Sequence, residues 1–193
     1  MALLDLRLRE FLDEVAAEGR TPGGGSAAAL VTALAAGLLA KVARGSTETW
    51  PDAAGIAAEA ECLRERATPL AETDAEHYEA ALRARAHSSA EEGDKRDFAL
   101  GRAYAKAAEP PLQIVRTATD VAQLALAVAE NGNPALRADA VTGALLAAAA
   151  ARAGAELVAV NLTASASDPR VLEAAKLAEE AARAAETARA GRE

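Results

Sequence analysis

One stretch of the sequence places two titratable side chains and a tyrosine where they could exchange protons. Asp74, His77 and Tyr78 stand three and four residues apart, a spacing that puts them on one face of an α-helix. A carboxylate beside an imidazole is an arrangement suited to general acid–base catalysis. Glutamates surround these residues, so on spacing alone a solvated, charged helix face is the better interpretation.

A second carboxylate, Asp139, lies about one turn inside a long apolar segment. A buried carboxylate must be paired, hydrogen-bonded or catalytic, because an isolated charge is costly to remove from water. An aspartate on the surface of a helix's first turn is instead favoured by the helix dipole. The sequence favours the surface interpretation somewhat and leaves both open.

A glycine-rich turn, Thr21-Pro22-Gly23-Gly24-Gly25-Ser26, precedes a run of alanines and leucines. Three consecutive glycines cost conformational entropy and let another group approach the backbone closely. With Ser26 predicted as the N-cap, the unpaired N–H groups of the helix start could bind an anionic or polar group. The lysine of a P-loop and the strand that precedes such loops are both missing. A binding site and a simple close packing of two helices are equally good interpretations.

The composition of the chain argues against several classes of partner and cofactor. The net charge of −8 lacks the basic footprint of a nucleic-acid-binding protein, so no nucleic-acid partner is expected. Cys62 is the single cysteine, and His77 and His87 form no HxxxH pair, so neither a disulfide nor a structural zinc site is expected. The apolar run over residues 27–40 is shorter than a bilayer span, and no signal peptide is recognisable, which predicts a cytoplasmic protein that does not bind membranes.

Helical patterns extend along the chain. Apolar residues recur at helical spacing from Leu8 to Val15, and Thr68-Pro69 is expected to kink or split a later helix. The segment 131–134, Asn-Gly-Asn-Pro, supplies a C-cap, an N-cap and a proline that starts the next helix. The main predicted helices cover residues 26–44, 94–108, 112–130, 135–162 and 169–190, and a polar loop is predicted at 87–93.

No alternating β-branched run occurs, so the predicted fold is an all-α helical bundle in a single domain over residues 1–193. The helices predicted at 26–44 and 135–162 are apolar nearly all round, which places both in the middle of the bundle. Hydrophobic residues make up 51% of the chain but aromatic residues only 3%, so the core is built of small side chains that bury little area each. That composition favours additional burial in a homo-oligomer.

Together these stretches resemble the cyclodeaminase/cyclohydrolase family, typified by the C-terminal domain of formiminotransferase-cyclodeaminase and by methenyltetrahydrofolate cyclohydrolases. The similarity spans essentially the whole chain and follows the family's order and spacing. The glycine motif in an all-helical chain of this length is its most specific part. The segments that carry the resemblance are Thr21–Ala29, Asp74–Tyr78, Pro111-Leu112, Asn131–Asn133, Asp139 and Val160–Leu162.

The resemblance implies an all-helical homodimer that binds a tetrahydrofolate derivative in a cleft, with no metal or redox cofactor. The implied reaction is cyclodeamination of 5-formiminotetrahydrofolate to 5,10-methenyltetrahydrofolate plus ammonia, or the hydrolytic interconversion of methenyl and formyl folates. The protein would then be a lyase or hydrolase of one-carbon metabolism. Whether it works with a separate formiminotransferase stays open.

The resemblance also implies roles for individual residues. The aspartate that matches Asp74 is the family's catalytic candidate, and Asp139 is expected to hydrogen-bond a pterin edge or to support Asp74. The residues expected to bind the substrate are Pro22, Gly23, Gly24, Gly25, Ser26, Tyr78 and Asn161.

The chain departs from the family pattern at three points. Ala138 stands where the family usually has a serine before the aspartate, and Leu157 stands where it often has an asparagine. A Leu-Pro-Lys segment common in the family is replaced by the region 85–88. These departures keep a second hypothesis open, in which the protein is a non-catalytic helical dimer that retains a folate-binding cleft.

Overall fold

The computed structural model describes residues 2–87, 94–162 and 168–191, and within these ranges it contains helices and no strand. This confirms the predicted all-α class. The predicted loop at 87–93 lies outside the described residues except for His87, which ends a helix. The α-helices are α1 (Leu8–Ala16), α2 (Gly24–Arg44), α3 (Ala53–Ala67), α4 (Leu70–His87), α5 (Asp94–Ala107), α6 (Glu109–Asn131), α7 (Arg137–Asn161) and α8 (Pro169–Ala190).

Proline and asparagine set several of these boundaries. Thr68-Pro69 separates α3 from α4, as predicted, because proline cannot continue the hydrogen-bond ladder of the preceding helix. The side chain of Asn133 accepts a hydrogen bond from the Ala135 N–H and caps a short 3-10 turn that leads into α7. Asp168 caps α8 in the same way, by accepting from the Arg170 N–H. Local signals in the sequence therefore fix where these helices begin.

Six helices, α2 to α4 and α6 to α8, form the bundle, and α2, α6 and α7 contact one another at its centre. Glycines let these helices approach closely. A Cβ atom added at Gly143 of α7 would lie 3.0 Å from Leu39 and 3.1 Å from the Ala35 carbonyl oxygen of α2. A Cβ added at Gly154 would lie 2.8 Å from Val115 of α6. The small-residue core thus brings the helix backbones close together, as the composition suggested.

Two predictions about α2 were wrong in part. The helix begins at Gly24, with Gly23 as its N-cap, so Ser26 lies inside the first turn and does not cap it. The helix is also not buried on all sides, because a stripe that contains Leu34 faces outward and leaves Leu34 65% exposed. Both differences arise from tertiary contacts that helix periodicity does not encode.

Within the described residues, two segments, Gly24–Arg44 and Pro134–Asn161, are long and apolar enough to cross a bilayer by length and composition. The bundle buries 61% of the most apolar window of the first and 44% of that of the second. Burial of this kind is what a core helix of a helical bundle requires.

Candidate functional site

The start of α2 packs directly against Asp74 of α4. A Cβ atom added at Gly25 would overlap all three atoms of the Asp74 carboxyl group, so only glycine leaves room for this contact. Ser26 is fully buried, and its hydroxyl donates a 2.7 Å hydrogen bond to the Ala71 carbonyl oxygen, one turn before Asp74. The glycine turn and Asp74, separated by about 50 residues in the chain, therefore form one local structure.

Asp74 is only 9% exposed. Burial raises the pKa of its carboxyl group from 3.8 to about 6, against the opposing effects of the His77 charge and a hydrogen bond from the Ser26 backbone N–H. The first N–H groups of a helix lack partners within the helix and carry partial positive charge. The sequence predicted an anionic or polar group at this helix start, and the Asp74 carboxyl group of the same chain occupies that position. A carboxyl group with a pKa near 6 can both accept and donate a proton close to neutral pH.

The junction between α5 and α6 contacts side chains of both α4 and α7. The Nδ1 atom of His77 lies 3.2 Å from the Lys106 carbonyl oxygen. The next carbonyl, that of Ala107, accepts a 3.0 Å hydrogen bond from the Asn161 amide. Two side chains from different helices are therefore tethered to consecutive backbone groups at the end of α5.

Leu157 lies at this same end of α7. Its methyl groups would be 3.9 Å from a Cβ added at Gly24. Asn161 follows one turn later and is partly buried. Leu157, one of the three departures from the family pattern, thus places an apolar side chain next to the glycine turn.

The remaining residues predicted to bind substrate surround this contact. Tyr78 is partly buried one turn after Asp74, and Gly23 is partly buried, whereas Gly24 is exposed. Pro22 is buried and helps to line a cleft of about 450 Å³ between the N-terminal segment and α4. Ala75, the neighbour of Asp74, lines the same cleft, together with Glu72, Glu76 and Glu79. The cleft beside the glycine turn is therefore acidic.

Asp139 lies elsewhere. Its carboxylate forms a 2.6 Å ion pair with the Lys41 ammonium group near the C-terminal end of α2. Lys41 is 16 residues beyond Gly25, or about 24 Å along the helix at 1.5 Å per residue. Within one chain Asp139 therefore lies far from Asp74, and its expected hydrogen bond to a pterin edge stays a prediction. Its place in the first turn of α7 agrees with the surface interpretation that the sequence favoured.

The burial of Asp74 was not expected from spacing alone, although the sequence contains a signal for it. Ala71, Asp74, Ala75, Tyr78 and Ala81 form a stripe at helical spacing, and four of the five are small or apolar. Three of the four that flank Asp74 are buried with it. Among the residues that the structure describes, no group of three or more histidine, cysteine, aspartate or glutamate side chains could hold a metal ion.

Comparison with known proteins adds three findings. A family model described as formiminotransferase-cyclodeaminase matches residues 7–187. A methenyltetrahydrofolate cyclohydrolase from Methylorubrum extorquens is 32% identical over 162 residues, which are 80% of this chain and 78% of that protein. The crystal structure of a formiminotetrahydrofolate cyclodeaminase from Thermotoga maritima superposes with a TM-score of 0.79 at 27% identity, covering 96% of this chain and 93% of the other.

Proposed function

The chain belongs to the formiminotransferase-cyclodeaminase family, and from that membership we propose that it opens or closes the five-membered ring of 5,10-methenyltetrahydrofolate. The two reactions in question are cyclodeamination of 5-formiminotetrahydrofolate and hydrolysis of the methenyl compound. The observation that carries the proposal is the buried Asp74 carboxyl group, held against the start of α2 with a pKa of about 6.

Each reaction requires a proton to be accepted and then donated, and Asp74 can perform both transfers. In cyclodeamination, N10 attacks the carbon of the protonated formimino group, N10 loses a proton, and the C–N bond to the departing ammonia breaks. The Asp74 carboxylate accepts the N10 proton and the resulting carboxylic acid gives it to the leaving amine, so the step balances without another reactant. In hydrolysis the same carboxylate accepts a proton from the attacking water, and the resulting acid gives it to the ring nitrogen whose C–N bond breaks. The carbinol hydroxyl then becomes the formyl carbonyl and releases its proton to solvent, so this reaction also balances. A pKa near neutral suits both roles.

The substrate is proposed to lie along the glycine turn. Gly24 is exposed, so a flat ring can approach the backbone where no Cβ intervenes. Pro22 lines the cleft beside the glycine turn, and Tyr78 is partly buried one turn after Asp74. The oxygen of the Asn161 amide can accept a hydrogen bond while its nitrogen donates to the Ala107 carbonyl oxygen. With a single cysteine the chain forms no internal disulfide, as is usual in the cytoplasm, where we place this reaction.

The deciding experiment offers both substrates to the purified protein at neutral pH. Loss of the near-ultraviolet absorbance of methenyltetrahydrofolate above the spontaneous rate supports hydrolase activity. Release of ammonia from the formimino substrate supports cyclodeaminase activity. If neither rate exceeds the spontaneous one while calorimetry detects folate binding, the protein is a non-catalytic folate binder, and if folate does not bind either, the proposal is wrong.

The same proposal includes a homodimer in which a second copy covers the outer face of α1 and α2. An apolar groove of about 780 Å³ runs between these helices, α3 and α7. Its lining is leucine, valine, alanine, phenylalanine and glycine, with Thr68 as a polar residue and Arg64 as the charged one. Leu8 is 74% exposed and Leu34 65% exposed within it. Such a large exposed apolar surface indicates an interface. The groove includes Ala27, so it extends to the first turns of α2 beside the glycine turn.

Replacing Leu34 with glutamate is expected to dissociate this dimer. A charge at the centre of an apolar interface loses its hydration without a partner, which we expect to raise the dimer dissociation constant at least 100-fold. Sedimentation equilibrium of wild-type and L34E protein measures this change. Leu172→Glu is the matched control, because Leu172 is 64% exposed on α8 and does not line the groove. A wild-type monomer at micromolar concentration, or equal effects of the two variants, would contradict the proposed interface.

A further inference from the structure

His77 is a titratable residue of this site to which the proposed reaction has so far given no role. It follows Asp74 by three residues on α4, so the two side chains emerge from the same face of the helix. Its Nδ1 atom lies 3.2 Å from the Lys106 carbonyl oxygen. A carbonyl oxygen can only accept, so Nδ1 carries the hydrogen in this contact, and Nε2 is the nitrogen that gains or loses a proton. The ring is therefore fixed in one tautomer by the end of α5.

This contact joins α4 to the C-terminal end of α5. α4 carries Asp74, and the end of α5 also holds Asn161 of α7 through the neighbouring Ala107 carbonyl. His77 is only partly exposed, so its charge acts on Asp74 through a medium less screening than bulk water. When protonated, the ring is the side chain whose charge opposes the effect of burial on Asp74.

Resting on the proposed function, we propose that His77 is a positioning residue for the reaction. Tethered to the Lys106 carbonyl, it holds a positive charge one helical turn from Asp74 and keeps that carboxyl group ionised at the lower end of the working pH range.

The charged groups of α4 and of the elements around it are the alternatives to His77 as a source of charge at Asp74. The first turns of α2 carry no ionisable side chain before Lys41, and α2 instead supplies the Ser26 backbone N–H. On α4 itself, Glu72, Glu76 and Glu79 line the acidic cleft, and the Glu79 carboxylate is bonded to Thr21 and Arg83. On the other elements, Glu14 of α1 lines the same cleft as Ala75, and Arg66 of α3 pairs with Asp120. Arg170 of α8 pairs with Asp168 and donates to the Ala105 carbonyl oxygen at the end of α5. The elements that contact α4 also carry Asp5, Lys106 and Glu109.

The test separates the charge of His77 from its hydrogen bond. His77→Asn keeps a donor near the position of Nδ1 but removes the charge, whereas His77→Lys keeps a charge and removes the ring. His87→Asn is the matched control, because His87 lies at the far end of α4 and its Nδ1 contacts a carbonyl oxygen, that of Arg83, in the same way. The readout is the titration midpoint of Asp74, followed by carbon-13 NMR of aspartate-labelled protein and assigned with Asp74→Asn.

The midpoint of Asp74 is expected to rise by about half a pH unit in H77N, because the favourable charge is lost, and to stay unchanged in H87N. In H77K it is expected to stay at or below the wild-type value. The acid limb of kcat/KM should move to higher pH in H77N by the same amount, with the same rate at high pH. An unchanged midpoint in H77N, or a rise in H77K, overturns the proposal.

The NMR titration uses no substrate, so it separates this proposal from the proposed function. If the Asp74 midpoint shifts in H77N but the wild-type protein shows no turnover, the effect of His77 on Asp74 is supported and the proposed reaction is refuted. If the wild-type protein shows turnover but the Asp74 midpoint does not shift in H77N, the proposed reaction is supported and the role of His77 is refuted. If H77N does not fold, H77K still tests the proposal. A permanent positive charge at this position should keep the titration midpoint of Asp74 at or below its wild-type value, and a rise overturns the proposal.

Discussion

Asp74→Asn is expected to lower turnover by about 10²–10⁴-fold and at the same time to stabilise the protein above pH 7. Asparagine has nearly the same shape and can still accept the hydrogen bond from the Ser26 N–H, but it cannot carry the transferred proton. The loss of rate therefore follows from the loss of the acid–base group, while the fold and the cleft are retained.

The gain in stability follows from the raised pKa of Asp74. Its pKa is about 6 in the folded protein and 3.8 when unperturbed, so the folded state favours the protonated form. This contribution to stability is fully present below about pH 4 and is lost as the pH rises through 6. Ionising the buried group costs about 3 kcal/mol of unfolding free energy at pH 8, since a tenfold change in proton affinity corresponds to about 1.4 kcal/mol. D74N avoids this cost.

Urea unfolding at pH 5 and pH 8 measures the effect. Between these values the wild-type protein should lose about 1–2 kcal/mol relative to D74N. Asp120→Asn is a control for the change of an aspartate to asparagine, because Asp120 is half exposed and paired with Arg66 on the surface. It should leave turnover and the pH dependence of stability as they are. Equal pH dependence in D74N and wild type would show that Asp74 is not buried as described.

Gly25→Ala is the second substitution with a large expected effect. The added methyl group would occupy the position of the Asp74 carboxyl group, so either α2 or Asp74 must move. Overpacking of this kind costs about 1–3 kcal/mol. A displacement of about 1 Å at a reacting group can lower the rate by about 100-fold, and we expect kcat/KM to fall by at least that factor.

Two other glycines control for the general effect of alanine in a helix. A Cβ at Gly24 would make ordinary contact with Leu157 at 3.9 Å, so G24A should retain or gain stability. A Cβ at Gly55 in α3 meets nothing within 4 Å, so G55A should gain up to about 1 kcal/mol and keep the wild-type kcat/KM. If G25A were as stable and as active as G55A, the close contact between the helix start and Asp74 would be refuted.

The fold and the site differ in how far the sequence predicts them. Pro69 and Asn133 mark helix boundaries because proline geometry and side-chain capping act within a few residues. The close contact between Gly25 and Asp74 involves two different helices, α2 and α4. Helical periodicity contains no information about which helices pack against each other. The same limit explains why Ser26, a good N-cap by residue type, instead donates its hydroxyl to Ala71 on α4.

The two aspartates illustrate the point further. Asp139 lies in the first turn of an apolar helix, where the sequence favoured a surface position, and it pairs there with Lys41. Asp74 is surrounded by glutamates and looked solvated, yet it is buried, because the glutamates turn to other faces of α4. The resemblance to a known family placed Asp74 in the site, and the pattern of charge alone did not.

The close approach of α7 to α2 and α6 at Gly143 and Gly154 has a consequence for how this sequence can change over evolution. Alanine and glycine have no side-chain rotamers to lose, so such a core is ordered at little entropic cost, but it has no flexible side chain that could yield to a larger neighbour. A larger residue at 143 would contact both the Leu39 side chain and the Ala35 carbonyl oxygen, so it would need a smaller residue in place of Leu39 and a small shift of the two helices. Substitutions in this core should therefore be accepted as compensating pairs across the helix contacts.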